Sequence, residues 1–220
     1  MKMLKGLLVI ILAILPLSGV SAYPKKVYTS DELAHLTQNA ESGDVAAQLK
    51  LGEAFYTGKA GELDFQKAFY WYSQGSKNHN QEAKFHLGML YLMGRGTSKN
   101  LYKAYQVIKS AAKADYVPAQ MQMGLFYEKG IGTTKELSQA FKWYEKAALK
   151  NHPKAQYKLG LAYANGWGVK QNIPYGVAWL EVAAKKGSRI SEIYKTSLMP
   201  TVSAEDLKMA RRHVGEQLKS

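Results

Sequence analysis

The sequence predicts an all-α fold in which four helix pairs stack into a solenoid, because several classes of residue share one period. Glycines recur at intervals of 36 residues, each directly after a large apolar residue. Alanines before them and aromatic residues after them keep the same interval. The repeated positions are Gly52, Gly88, Gly124 and Gly160, then Ala47, Ala83, Ala119 and Ala155, then Phe55, Tyr91, Tyr127 and Tyr163. Such a pattern is typical of an array in which each unit buries its apolar face against the next.

The first helix of each unit is predicted from apolar residues at helical spacing. In the first copy, Ala47, Leu51 and Phe55 recur every four residues and share one face of a helix. Gly58 follows at a place where a left-handed residue ends a helix. Its copies are Gly94, Gly130 and Gly166. Gly52 lies inside the helix, where glycine costs about 1 kcal/mol relative to alanine, so we expect its missing Cβ to let the paired helix approach closely. The small residues expected opposite are Ala68, Ala104, Ala140 and Gly176.

The second helix is clearest in the third unit, over residues 139–148. It is expected to bury Ala140, Trp143 and Ala147 on one side. The loops at 94–98 and 130–134 contain glycine, serine and threonine, which favour turns. Glycine-rich loops that bind phosphate follow a strand, so we interpret these loops as turns between helices.

The pattern A-x-x-x-L-G-x-x-Y-x-x-G-x-G, followed by K-A-x-x-W-Y-x-x-A-A, resembles the Sel1-like repeat, a relative of the tetratricopeptide repeat. The third unit matches it best, through Ala119, Met123, Gly124, Tyr127, Gly130, Gly132, Ala140, Trp143, Tyr144, Ala147 and Ala148. The resemblance covers residues 43–187 and implies a right-handed α-solenoid of antiparallel helix pairs. Ala60 replaces a loop glycine, and Val107 and Ile108 replace the Trp-Tyr pair. We expect these departures to cause local adjustments only.

Helices of different sequence are expected to cap the array, because exposed ends of repeat arrays need a polar cover. Residues 29–32 (Thr, Ser, Asp, Glu) are typical of a capping box that opens a helix reaching about Ser42. Beyond Pro200, Ser203 is predicted to open a second capping helix that ends at Leu218. The predicted division is a signal peptide over 1–22, a tail and capping helix over 23–42, repeats over 43–78, 79–114, 115–150 and 151–187, and a loop with a capping helix over 188–220. The loop is expected over residues 188–202.

The N-terminal residues are typical of a cleavable export signal. Lys2 and Lys5 precede an apolar run over 6–17, and small residues follow, with cleavage expected after Ala22. A membrane anchor is the alternative, but the run is short and Pro16 interrupts it. The chain contains no cysteine, so it offers no site for lipid attachment and no disulfide. We therefore expect a soluble protein, periplasmic or secreted, that is stabilised by packing.

The formal net charge of +13 comes mostly from lysines. Scattered lysines usually form a solvated surface, but the excess also favours an acidic partner. Export argues against nucleic acid. Weak association with an anionic membrane through the lysines is a further alternative.

The predicted binding surface is the concave face, which the first helices line in tetratricopeptide repeats. Positions 49 and 53 and their copies are mostly filled by apolar residues, with Glu53 as the exception, and this regularity favours packing over recognition. Positions 56 and 57 change chemistry from copy to copy and are therefore where specificity would reside. The middle repeats add flexible apolar side chains suited to an adaptable contact. The predicted partner-binding residues are Phe85, Met89, Leu92, Met93, Glu128 and Lys129.

No residue pattern indicates catalysis, and neither a metal nor a cofactor is predicted. The five histidines have no metal-ligand spacing. His86 shares its repeat position with Lys50, Gln122 and Lys158, which indicates a variable surface position. His79 and His152 lie near repeat junctions and are candidate capping groups.

The function predicted by the repeat pattern and the resemblance is that of an exported, non-enzymatic scaffold or adaptor in the bacterial envelope, which binds another protein or peptide. One alternative is an immunity protein that neutralises a secreted toxin. Another is a β-lactam-hydrolysing or other envelope enzyme, as some cysteine-rich Sel1-like proteins suggest. The absence of cysteine argues against this last alternative.

Overall fold

A computed structural model of the chain describes residues 27–219, so the predicted signal peptide and the cleavage after Ala22 lie outside the described residues. Residues 27–219 form eleven α-helices, one short 3₁₀ helix and no strand. The α-helices are α1 (Ser30–Glu41), α2 (Val45–Thr57), α3 (Phe65–Lys77), α4 (Gln81–Met93), α5 (Leu101–Lys113), α6 (Val117–Lys129), α7 (Leu137–Leu149), α8 (Pro153–Asn165), α9 (Ile173–Lys185), α10 (Arg189–Leu198) and α11 (Ala204–Gln217). The 3₁₀ helix is Met199–Thr201.

Four helix pairs follow one another along the chain, as the repeat predicted. Within each unit the first helix packs on the second, in the order α2 on α3, α4 on α5, α6 on α7 and α8 on α9. Each second helix also packs on the first helix of the next unit. The alanines of the repeat lie at these contacts, and all four are at most 3% exposed. The all-α solenoid predicted from the sequence is therefore confirmed.

The glycine inside each first helix allows the paired helix to approach closely, as expected, but the residue opposite is larger than predicted. A Cβ on Gly52 would lie 2.7 Å from the ring of Tyr72, and a Cβ on Gly160 would lie 2.8 Å from Cγ of Leu180. The predicted small residues contribute mainly backbone at this crossing, such as the carbonyl oxygen of Ala104 at 3.3 Å from a Cβ on Gly88. The glycine thus makes room for a large apolar side chain.

Every second helix buries the residue that follows the predicted tryptophan position, and α3 and α9 also bury the tryptophan itself. In α7, Ala140 and Ala147 are buried as predicted, whereas Trp143 is half-buried. Tyr144 fills the interior instead, at 3% exposure. Its ring is the group that faces Gly124 of the paired helix.

Several series of left-handed residues repeat along the array. Gly58, Gly94, Gly130 and Gly166 cap the first helices with positive φ, as predicted. A second series lies between each second helix and the next first helix, at Gly43, His79, Asp115, Asn151 and Gly187. His79 is therefore a junction residue and not a cap, because Asn80 supplies the capping oxygen of α4. His152 does cap α8, since its Nδ1 accepts from the backbone N of Ala155 at 3.3 Å.

The N-terminal capping helix forms as predicted. The Thr29 hydroxyl accepts from the backbone N of Glu32 at 3.2 Å, and the Glu32 carboxylate accepts from the backbone N of Thr29 at 2.9 Å. These two bonds complete a capping box at the start of α1. Leu33 and Leu36 then pack against the core of the first repeat, so α1 covers that end of the array.

The prediction of a loop over 188–202 was wrong, because the structure places α10 there. Ser188 caps the helix, and Ser191 is fully buried, 36 residues after Ala155. This helix is therefore the degenerate first helix of a fifth unit. The capping helix α11 is capped by Ser203 as predicted, and it packs on α9. Its buried residues are Leu207, Ala210 and Val214.

Candidate partner-binding site

The first helices α2, α4, α6 and α8, continued by α10, form a surface that we call the first-helix face. Two clefts open on it. The N-terminal cleft, of about 610 Å³, lies between α2 and α4. The C-terminal cleft, of about 510 Å³, lies among α6, α8 and α10.

The predicted binding residues lie between these clefts and differ in how accessible they are. Phe85, Met89 and Leu92 are half-buried and pack against the main core. Met93 is 38% exposed, and Lys129 is exposed. The structure therefore leaves Met93 and Lys129 as the freely accessible members of the predicted set.

Glu128 is already engaged by neighbouring helices. The Nζ of Lys158 donates to its two carboxylate oxygens at 2.8 and 3.0 Å, and the Tyr144 hydroxyl donates to Oε2. Burial by itself would raise the pKa of Glu128, but these hydrogen bonds hold it below its ordinary value. Burial and the same carboxylate raise the pKa of Tyr144. Glu128 thus links α6, α7 and α8 on the first-helix face.

The N-terminal cleft has an acidic and aromatic lining. The ring of His86 stacks on Tyr72, with centroids 4.8 Å apart and planes at 18°. His86 is therefore more enclosed than its variable repeat position predicted. Burial lowers its pKa, and the carboxylates of Glu82 and Glu53 partly offset this effect. Glu53 is exposed and pairs with Lys59 at 2.6 Å.

The C-terminal cleft combines an apolar floor with basic residues. Met121, Leu125 and Tyr157 form the floor, and Ile190 of α10 forms one wall. The charged residues that line it are Lys154, Lys158 and Lys186. No acidic side chain lines this cleft in the part of the chain that the structure describes.

Sequence reasoning missed the C-terminal cleft because it treated residues 188–202 as a loop. The wall formed by Ile190 exists only because α10 continues the first-helix face. A usable signal was present, since Ser191 and Gly187 repeat the period of Ala155 and Asn151. Tyr157 was interpreted as packing, yet it lines the cleft.

The described residues contain no cluster of three or more histidine, cysteine or acidic side chains that could hold a metal ion. Between residues 27 and 219, no helix has both the length and the apolar character needed to cross a membrane.

The fold defines a protein of stacked helix-pair repeats, in which the first helices form one long surface. A family model described as Sel1 repeat matches residues 45–80, 81–116, 117–152 and 153–188. The chain therefore belongs to the Sel1 repeat family. Proteins with these repeats generally mediate protein–protein interactions and act mainly as non-enzymatic scaffolds.

Solved structures show the same architecture. A Sel1 repeat protein from Oxalobacter formigenes is 30% identical, with a TM-score of 0.70, over 76% of this chain and 69% of that chain. A protective antigen of uropathogenic Escherichia coli strains is 24% identical, with a TM-score of 0.61, over 76% of this chain and 43% of that chain. An immunity protein from Pseudomonas aeruginosa is 18% identical, with a TM-score of 0.53, over 88% of this chain and 77% of that chain. The last two show similarity of fold. Comparison with curated proteins found no match.

Proposed function

We propose that this chain is an exported, non-enzymatic adaptor that holds a partner protein on its first-helix face. The observation that carries the proposal is the pair of clefts, of about 610 and 510 Å³, that open on this one surface. Clefts of this size accept side chains or a short segment of a partner. The repeat family supports a binding role, since its members generally mediate protein–protein interactions.

The chemistry of the face also favours binding over catalysis. Glu128 is engaged with Lys158 and Glu53 with Lys59, and the ring of His86 is stacked on Tyr72. The serine and threonine hydroxyl groups that line the clefts serve the backbone, since Thr57 donates to the carbonyl oxygen of Glu53 and Ser188 caps α10. Export rests on the basic and apolar residues that precede Ala22.

Site-specific photo-crosslinking of the full-length chain in its host cells tests the proposal. A photoreactive residue would replace Glu53, Met93 or Lys154 on the first-helix face. Two matched control variants would carry the photoreactive residue elsewhere. One replaces Met209 of α11, which is 59% exposed, and the other replaces the exposed Lys142 of α7. We expect one partner protein to be crosslinked from the first-helix face and not from the controls.

Crosslinks confined to the two control positions, or no crosslink from any position, would contradict the adaptor proposal. The identity of the partner distinguishes the two binding hypotheses, because a secreted toxin would indicate an immunity protein. The solved immunity protein of the same fold is too distant to decide this by itself, at 18% identity.

A further inference from the structure

We propose that the C-terminal cleft is the docking point for an acidic segment of the partner that carries apolar side chains. This inference rests on the proposed function and deepens it, because it names the part of the first-helix face that binds and the chemistry of what is bound.

The floor and the wall of the cleft are apolar. Met121 is nearly buried at 7% exposure, whereas Ile190 is 50% exposed. Beyond Ile190, α10 continues the apolar surface with Ile193 at 68% and Tyr194 at 41% exposure, and the Tyr194 ring lies 6.0 Å from that of Tyr157. Large exposed apolar side chains that cluster beside a cleft are typical of an interaction site.

The architecture explains why this apolar surface is uncovered. Each complete unit covers its first helix with its own second helix, but the last helix, α11, packs on α9 instead of pairing with α10. The junction residue Gly187 also leaves space, since no atom lies within 4 Å of where its Cβ would be. The fifth unit is therefore half complete. The first-helix face is open in complete units as well, but Ile193 is exposed because no first helix follows α10 in residues 27–219, whereas Tyr157 at the same repeat position has α10 beside it.

The charge of the lining identifies the occupant. Lys154, Lys158 and Lys186 line the cleft, and no acidic side chain among the described residues does so. Lys158 pairs with Glu128, and Lys186 donates to Asn151 Oδ1 at 2.7 Å. Lys154 is exposed and makes no ion pair with the described residues. Carboxylates of a bound segment would satisfy this positive charge.

The N-terminal cleft provides an internal comparison, because it lies on the same surface and has a similar volume. Glu53 and Glu82 line it, together with a single lysine, Lys50. The absence of acidic side chains from the C-terminal cleft is therefore a local property and does not follow from the basic composition alone. An acidic segment would be attracted to one end of the first-helix face and not to the other.

The test uses the protein as purified from its host cells and a phage-displayed library of short random peptides. We expect the selected peptides to combine aspartate or glutamate with aromatic or aliphatic residues. Lys154→Glu and Ile190→Asp should each weaken binding of these peptides at least about tenfold, since one reverses the charge and the other places a charge on the apolar wall. Lys142→Glu makes the same charge change on α7 and should leave binding unchanged.

Selection of neutral or basic peptides, retention of binding by both cleft variants, or no selection at all would overturn the inference. Binding of phosphatidylglycerol vesicles that both variants abolish, without peptide selection, would also overturn it in favour of a membrane surface. Crosslinks to a partner from Glu53 or Met93 would show that the adaptor proposal stands even if this inference fails.

Discussion

The glycine inside each first helix sets how closely the two helices of a unit approach. In the third unit, a Cβ on Gly124 would overlap the ring of Tyr144. That ring is buried, and its hydroxyl donates to Glu128, so it has little freedom to move.

Gly124→Ala should therefore destabilise the protein. Overpacking costs about 1–3 kcal/mol, and the gain of about 1 kcal/mol in helix propensity offsets only part of it. We expect a net loss of up to about 2 kcal/mol in the free energy of unfolding, measured by urea denaturation. Gly215→Ala is the control, because no atom lies within 4 Å of its Cβ position. It should stabilise the protein by about 0.5–1 kcal/mol, and equal behaviour of the two variants would contradict the packing explanation.

The junction residue His79 is expected to carry backbone strain that a substitution can relieve. Its φ is 59°, a left-handed conformation that costs about 1–2 kcal/mol for most residues but is tolerated by asparagine. His79→Asn should raise the melting temperature and stabilise the protein by about 0.5–1 kcal/mol. The reverse change, Asn151→His, should destabilise it, since it also removes the acceptor of Lys186 Nζ. A loss of stability in His79→Asn would refute the strain argument.

His86 should make the stability depend on pH. Burial lowers its pKa in the folded state, so the unfolded chain binds a proton more readily below its own pKa of about 6.5. The stability that uncharged His86 contributes is fully present above the unfolded pKa of about 6.5. It is lost as the pH falls through the lower pKa of the folded state. Denaturation curves of His86→Gln should therefore show a smaller loss of stability between neutral and mildly acidic pH. Burial also lowers the pKa of His152, so part of the dependence should remain in this variant.

At the scale of the helix, α11 is expected to stabilise the end of the array by covering α9. Leu207 is 4% exposed, so Leu207→Ala should cost about 2–4 kcal/mol in denaturant unfolding. Met209 lies on the opposite side at 59% exposure. Met209→Ala should change the stability by less than about 0.5 kcal/mol. Similar losses in both variants would show that α11 does not act as a packed cap.

The sequence predicted those helices whose packing residues keep the repeat. The period of alanine, glycine and aromatic residues sufficed to place α2–α9 as helix pairs. It failed at α10, where Thr196 stands 36 residues after Gly160 and only the buried Ser191 keeps a small side chain. Periodicity also did not identify the side chain that faces Gly124, because Trp143 and Tyr144 are adjacent, are both large and aromatic, and both keep the repeat period.

The candidate site was harder to predict because residues of several repeats form it together. The C-terminal cleft belongs to three helices, and its wall depends on α10, so no single repeat contains its signal. Phe85, Met89 and Leu92 were chosen by repeat position and are half-buried, because a first helix contributes both to the core and to the surface.

At the scale of the whole molecule, the proposed export would determine which partners the chain can meet. If residues 1–22 are removed during export, the protein recovered from host cells should begin at Tyr23. N-terminal sequencing of protein from the periplasmic and extracellular fractions measures this directly. Protein that begins at Met1 and stays with the membrane fraction would instead support the anchor alternative, whereas protein in the cytosol would contradict export.

The junctions between units share one backbone conformation, since residues 43, 79, 115, 151 and 187 are all left-handed at intervals of 36. A chain cut at any two of these junctions and rejoined would keep the same joint, so a gene duplication or deletion could change the number of modules without altering how they connect. Each added module would lengthen the first-helix face by one helix while leaving both terminal covers in place. The number of modules, and with it the length of the first-helix face, could therefore change without remodelling the fold.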